Sequence, residues 1–171
     1  MEPPLVIRAY EDSDLEDCRA LWKELTEWHR EIYQNATIGG EHPENHFDRH
    51  LAVVGPQQLW VAVYDSRVTG LVGLIFKGNE AEVEPLIVSK RFRGRLIGKR
   101  LIEKAIAEAR ARGARLLSVK PVARNITTIQ FLHKHGFVNI GFVELFMDLS
   151  GHSWRPGLHM FGCDFGSDRF S

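Results

Sequence analysis

The stretch VSKRFRGRLIGKRLIEKAI, Val88 to Ile106, decides how the chain is read. It follows an apolar run and precedes a segment of helical spacing, and it places Gly94 and Gly98 among Lys90, Arg91, Arg93, Arg95, Lys99, Arg100 and Lys104. A strand ending near Val88, a short glycine loop and a helix beginning near Gly98 turn several backbone N–H groups in one direction, at the positive end of a helix dipole. That arrangement suits a pyrophosphate. The same residues also fit a solvated basic helix face, and the loop alone does not separate the two. Other phosphate loops fail on spacing: Gly98 is followed by Lys99 and Arg100, with no hydroxyl for magnesium, and a dinucleotide fingerprint needs three glycines after the first strand. Single-strand nucleic-acid binding interleaves stacking rings with charge, and the loop holds only Phe92.

Outward from this stretch the elements fall into an ordered pattern. Upstream, Leu59 to Tyr64 and Val68 to Phe76 are β-branched and aromatic runs separated by Asp65, Ser66 and Arg67, which predicts a hairpin, and Glu80 to Val88 is a third strand. Further back, Leu5 to Tyr10 predicts a strand and Asp12 and Ser13 cap a helix carrying Leu15, Cys18, Leu21, Trp22, Leu25 and Trp28. Asn35 to Glu44 is loop-like, and Pro43 opens a short helix through about Leu51. Downstream, Gly98 to about Arg112 is an amphipathic helix stopped by Gly113, Leu116 to Val122 a strand, and Asn125 the cap of a helix stopped by Gly136. Phe142 to Leu149 and His159 to Phe165 complete the strand candidates. This order predicts an α/β protein with a mixed central β-sheet flanked by α-helices, parallel where helices cross over.

The chain has 171 residues, which fits a single domain over 1–171, with 150–171 a C-terminal strand or extension. Lys plus Arg and Asp plus Glu are 22 each, so no whole-molecule field is expected to collect nucleic acid or an anionic membrane. The first residues, MEPPLVIRAYEDSD, carry no charged leader with a long apolar core, and no apolar run approaches the roughly 18 residues of a membrane span. The expectation is a cytoplasmic protein without membrane or nucleic-acid partners, and a homodimer is left open. Cys18 and Cys163 are too few for a disulfide framework or a zinc site, and read as reduced.

Leu86, Ile87 and Val88 followed by Arg93-Gly94-Arg95-Leu96-Ile97-Gly98 resemble the acyl-CoA-binding segment of the GNAT acetyltransferase superfamily, whose pattern is Gln/Arg-x-x-Gly-x-Gly/Ala. Arg93, Leu96 and Gly98 fall on its three defined places, and Leu96 departs from the usual glycine. Asn125 and QFLHKHGF, Gln130 to Phe137, resemble the family's Asn followed by a helix ending in Tyr-x-x-x-Gly-Phe. The resemblance implies one GNAT-like domain and acetyl-CoA as cosubstrate. It implies that the backbone amides from Arg93 through Gly94, Arg95, Leu96, Ile97 and Gly98 to Lys99 hold the pyrophosphate, that Leu86 to Val88 pair with the pantetheine arm, and that Asn125 belongs to the cofactor site. Asn125 also reads as a plain helix cap, and the two roles are compatible. Leucine tolerates positive φ poorly, so the conformation at Leu96 is a point of interest.

Acetyl transfer to an amine needs the amine neutral and the thioester carbonyl polarised. Glu82 and Glu84 stand two apart on one strand, which predicts that both emerge on one face, just before Pro85 interrupts the ladder. Either is a candidate base. Leu132 stands where many relatives carry a tyrosine that protonates the departing thiolate, and Lys120 stands where ribosomal-protein acetyltransferases of the family carry a glutamate. His133 is a candidate for proton transfer and otherwise a surface residue. His42, His46 and His50 are spaced by four, yet His42 precedes Pro43 and falls outside the helix, so no metal is expected. The acceptor is expected between the Trp28 to Phe47 connection and the C-terminal strands, where Glu31, Glu41, Glu44 and Asp48 favour a cationic amine. A non-catalytic CoA-binding or nucleic-acid-binding module is the alternative.

Overall fold

The apolar runs and two-residue turns of the central region fix the sheet. In a computed structural model, which describes residues 4–149 and 154–169, Leu59–Tyr64 (β2) and Arg67–Lys77 (β3) form a hairpin. Asp65 and Ser66 take φ of 53° and 57°, the left-handed pair that a type I′ turn requires, and this sets Tyr64 opposite Arg67. Val6–Ala9 (β1) pairs antiparallel with β2, and Glu80–Val88 (β4) antiparallel with β3. Leu116–Val119 (β5) pairs parallel with β4, giving the order β1-β2-β3-β4-β5. A parallel pair needs a crossover, here the helix Ile97–Ala111 (α3). The expected mixed sheet flanked by helices is therefore present.

Both faces of this sheet are covered, which explains why β2 and β3 read as nearly continuous apolar runs. On one face Leu59, Val61, Leu71 and Ile87 pack with Cys18 and Leu21 of the helix Leu15–Tyr33 (α1) and with Phe47 and Val54 of the helix Asn45–Val54 (α2). On the other face α3 buries Leu101, Ile102, Ala105 and Ala109. Gly70 lets α3 come close, since a Cβ there would lie 2.8 Å from Leu101 Cδ1 and 3.1 Å from Ile97 Cγ2.

The start of α1 is tied back to β1 by charge. Asp14, 4 % exposed, accepts both Arg8 terminal nitrogens at 2.7 and 2.8 Å and the Glu11 N–H at 2.9 Å. Burial works against its charge, but these donors hold its carboxyl below the usual range.

The chain forms two compact units, Met1–Trp28 with Thr37–Lys120, and His29–Ala36 with Pro121–Ser171. The second contains the helix Ile126–Lys134 (α4), capped by Asn125, whose side-chain oxygen accepts the Thr128 N–H at 3.2 Å. It also contains an antiparallel hairpin, Trp154–Met160 (β6) with Cys163–Arg169 (β7).

Two strand expectations are corrected. The single strand expected over His159 to Phe165 is instead a strand end, a turn and a strand start, because Phe161 and Gly162 take φ of 55° and 73° and reverse the chain. Phe142 to Leu149 lies in no helix or strand, and Phe142, Leu145, Met147 and Leu149 are exposed. Its alternation supplies an apolar side, but a strand also needs a ladder of backbone hydrogen bonds, which is not formed there.

Removing the Asp14 carboxylate takes away a charge-assisted pair and a helix-start acceptor, while Arg8 retains access to water. Asp14→Ala is expected to cost about 2 kcal/mol, a fall of roughly 4–8 °C in Tm for a chain of this size. Thermal melts at pH 7 check it, and an unchanged Tm would show that the pair adds nothing to stability.

Candidate functional site

The site begins where the sheet opens. The ladder between β4 and β5 ends at Val83 opposite Val119, and beyond it β4 continues through Leu86, Ile87 and Val88 paired only with β3. Along Leu86–Val88 the other edge of β4 carries no strand among the described residues. The register between β3 and β4 shifts between Val72 and Leu74. Gly73 sits at that shift, where a Cβ would lie 2.4 Å from the Glu84 carbonyl oxygen and 2.7 Å from Leu59 Cδ2. Only glycine fits there, and Pro85 next to it has no N–H for a ladder.

After Val88 the chain passes through a 3₁₀ turn at Lys90–Phe92 into the loop Arg93 to Leu96. Gly94 has φ 80°, and Leu96 takes φ 61° and ψ 6° with its side chain 67 % exposed. The leucine therefore adopts the left-handed conformation that glycine adopts more easily, and its side chain points away from the core. From Arg93 to Lys99 the backbone N–H groups have no acceptor among the described residues, and the ladder of α3 starts with the Arg100 N–H on the Leu96 carbonyl at 3.0 Å. Donors without partners at the start of a helix of this length can receive an anion such as a pyrophosphate.

The basic side chains around this loop are held by rings of the same unit. Arg93 lies over Trp28 at 5.5 Å from the ring centroid, Arg95 over Tyr64 at 5.3 Å, and Arg95 also donates to the Tyr64 hydroxyl at 3.0 Å.

The two candidate carboxylates have different surroundings. Glu82 is 7 % exposed and receives Lys120 Nζ at 2.8 Å and Lys77 Nζ at 3.2 Å. The Lys120 hydrogen bond, assisted by Lys77, holds its carboxyl below the usual range and raises Lys120 in turn. Lys120, at the place of a family glutamate, is thus the counterion of a carboxylate on β4. Glu84 keeps a side chain 50 % exposed, and beside it stands His50 of α2, with Nε2 3.1 Å from the Glu84 carbonyl oxygen and Nδ1 3.9 Å from Glu84 Oε1. In the sequence His50 stands as the third of the evenly spaced His42, His46 and His50, which hides its separate environment. Its spacing with Phe47, Leu51 and Val54 puts it on the apolar stripe of α2, and that was the available signal.

Among the acceptor carboxylates, Asp48 is committed to Arg19 through bonds of 2.9 and 2.7 Å, and Glu44 approaches His42 at 3.3 Å. Among the described residues no group of three or more His, Cys, Asp or Glu is gathered as a metal-ligand set. In the second unit Asn125 caps α4, Leu132 is 2 % exposed, and His133 lies in the last turn of α4.

Residues 22–137 match the family model described as the acetyltransferase (GNAT) family, and the chain belongs to that family. Acetyl-CoA is the family's cosubstrate. A search of curated proteins finds no match. Among solved structures, a PaiA N-acetyltransferase from Thermoplasma acidophilum in complex with coenzyme A is similar at TM-score 0.65 and 19 % identity, over 95 % of this chain and 96 % of that one. An aminoglycoside N-acetyltransferase in complex with CoA is similar at TM-score 0.63 and 16 % identity, over 87 % and 97 %. A ribosomal-protein alanine N-acetyltransferase from Escherichia coli is similar at TM-score 0.56 and 19 % identity, over 78 % and 77 %. At these identities the likeness is one of fold. No helix among the described residues is long and apolar enough to cross a membrane.

Two outcomes are expected. Leu96→Gly exchanges left-handed strain of about 1–2 kcal/mol for an unfolded-state entropy cost of about 0.4–1 kcal/mol, so thermal melts should show Tm unchanged or raised. Leu96→Val should lower it, because a β-branched residue is a stronger outlier at positive φ. The second outcome concerns pH. Burial pushes His29 and His50 below their ordinary 6.5, Glu84 partly offsetting the shift at His50. A histidine depressed in the folded state binds its proton more tightly when unfolded, so its stabilisation is full above about pH 6.5 and is lost as pH falls below it. Melts from pH 7.5 to 5 should show Tm falling before the carboxylates protonate, and a flat profile would contradict the buried neutral state of both rings.

Proposed function

We propose that the chain is an N-acetyltransferase that transfers the acetyl group of acetyl-CoA directly to a primary amine in a ternary complex. The observation that carries this reading is the run of N–H groups from Arg93 to Lys99 that have no acceptor among the described residues, one short turn after a strand whose edge at Leu86–Val88 carries no partner strand among them. Those amides hold the pyrophosphate, and Leu86 to Val88 lie along the pantetheine arm. Acetyl-CoA, when bound, supplies the acetyl group as a thioester.

Glu84 is the base. An acceptor amine with an ordinary pKa near 10 is almost wholly protonated at pH 7, so a carboxylate must take its proton, directly or through water. Glu84 has an accessible carboxylate beside the open edge, whereas Glu82 has its oxygens engaged by two ammonium groups and serves to fix β4 to β5. No side-chain acid is needed at Leu132, because a thiolate with a pKa near 8.5 is readily protonated by water at neutral pH. With Asp48 paired to Arg19, Glu41 and Glu84 favour a cationic acceptor.

The test is thiol release from acetyl-CoA across a panel of a polyamine, an aminoglycoside and a peptide α-amine. Acetyl-CoA at a hundredfold excess over Kd should raise Tm by roughly 5–10 °C, and Gly98→Glu, which adds bulk and negative charge to the cradle, should abolish the shift. Glu84→Gln should lower kcat on the order of 10²-fold to 10⁴-fold with the thermal shift intact. Glu82→Gln should lose stability instead. A thermal shift without thiol release on any amine would make the protein a CoA-binding module, and an unchanged shift in Gly98→Glu would remove the cradle.

A further inference from the structure

We propose that His50 is the positioning partner of Glu84, fixing its main chain through Nε2 and receiving its proton at Nδ1. This rests on the reading of Glu84 as the base. The imidazole meets Glu84 twice: Nε2 lies 3.1 Å from the backbone oxygen and Nδ1 3.9 Å from Oε1. A carbonyl oxygen can only accept, so the neutral ring carries its hydrogen on Nε2 and leaves Nδ1 as a lone pair toward the carboxylate. The tautomer follows from the partner. The distance of 3.9 Å is within ion-pair reach and longer than a hydrogen bond, so the two groups are poised without being locked while both are unprotonated.

The surroundings keep the ring in place. The His50 side chain is 8 % exposed, and the Trp22 ring of α1 lies across it at a centroid distance of 5.1 Å. The Glu84 carbonyl that it holds is itself pressed against Gly73, where no side chain fits. Among the described residues Glu84 is the charged group that acts on His50 from the elements packed around it. Burial lowers His50 and Glu84 raises it, which leaves a neutral proton acceptor at pH 7.

The proton balance is simple. The N–H bond of the ammonium acceptor breaks and its proton bonds to a Glu84 oxygen, leaving the electron pair on the amine nitrogen. That proton then passes to His50 Nδ1, giving an imidazolium beside a carboxylate, and leaves to water before the next turnover. Nothing is oxidised or reduced. A carboxylate that must return its proton through a half-exposed side chain gains an adjacent acceptor, and the ion pair so formed restores the base to its charged state.

The experiment has two arms. In the first, ¹⁵N-resolved NMR of the free protein should show His50 as the Nε2–H tautomer at pH 7, with an apparent pKa that falls further in Glu84→Gln. An Nδ1–H tautomer, or a pKa indifferent to Glu84→Gln, would overturn the pairing. In the second, His50→Gln retains a donor for the Glu84 carbonyl but has no titrating nitrogen. On the panel amine that releases most thiol, its kcat should fall about tenfold or more, less than in Glu84→Gln, with the acid limb of the pH profile displaced and the acetyl-CoA thermal shift unchanged. A wild-type rate and profile in His50→Gln beside a slow Glu84→Gln would sink the inference and leave the acetyltransferase reading standing. A slow His50→Gln with a wild-type pH profile would show a packing role alone and also overturn it. A fully active Glu84→Gln would instead remove the base, and this inference with it.

Discussion

The contact between Gly73 and the Glu84 carbonyl is the constraint on which the rest of the site depends. At Gly73 the strands meet with no room for a methyl group, and the register of β3 and β4 shifts there. From that point β4 parts from β5, and the open edge at Leu86–Val88, the exposed carboxylate of Glu84 and the loop into α3 all follow along one strand. A hydrophobic sheet covered on both faces makes the displacement rigid, since close-packed interiors resist small adjustments. The opening is held by packing.

Charge is distributed along β4 with a clear division. Glu82, nearly buried, is neutralised by an ammonium from each side, while Glu84 two residues on is left accessible and faces a histidine. Burial of an unpaired carboxylate would cost several kcal/mol, so the lysines at Lys77 and Lys120 are what permit an acidic residue in that part of the sheet. The cradle uses the complementary device, backbone dipoles without a counter-charge of their own, and the arginines beside it rest on the Trp28 and Tyr64 rings. Cations lodged over aromatic faces keep positive potential near the loop without crowding its amides.

Much of this was legible in the sequence. The β2–β3 hairpin could be read because Asp65 and Ser66 suit a left-handed turn, and α3 because its apolar spacing and Gly113 bound it. The loop ahead of α3 was marked by Gly94 and Gly98, although the chain alone did not reveal that Leu96 would accept the left-handed conformation. What remained hidden depended on tertiary neighbours. Glu82 and Glu84 look equivalent in sequence, and only the approach of Lys77, Lys120 and His50 distinguishes them. His50 looked like one of three evenly spaced histidines, until the packing of α2 turned it inward beside Trp22. The run Phe142 to Leu149 misled for the opposite reason: its alternation is real, but periodicity reports which side chains are apolar and says nothing of where backbone donors go.

That same run has a consequence for how the molecule behaves in concentrated solution. Phe142, Val143, Leu145, Phe146, Met147 and Leu149 form a short, β-prone, largely apolar sequence that is exposed, the composition from which intermolecular sheets nucleate. Glu144 and Asp148 interrupt it at an interval of four, so that no more than three of its apolar residues stand in succession. These two acids act as gatekeepers: mutual repulsion between stacked copies sets against the gain from burying the rings. Tolerance of such an exposed run thus rests on the two acids within it, and neutral residues at Glu144 and Asp148 would favour association of copies through this segment.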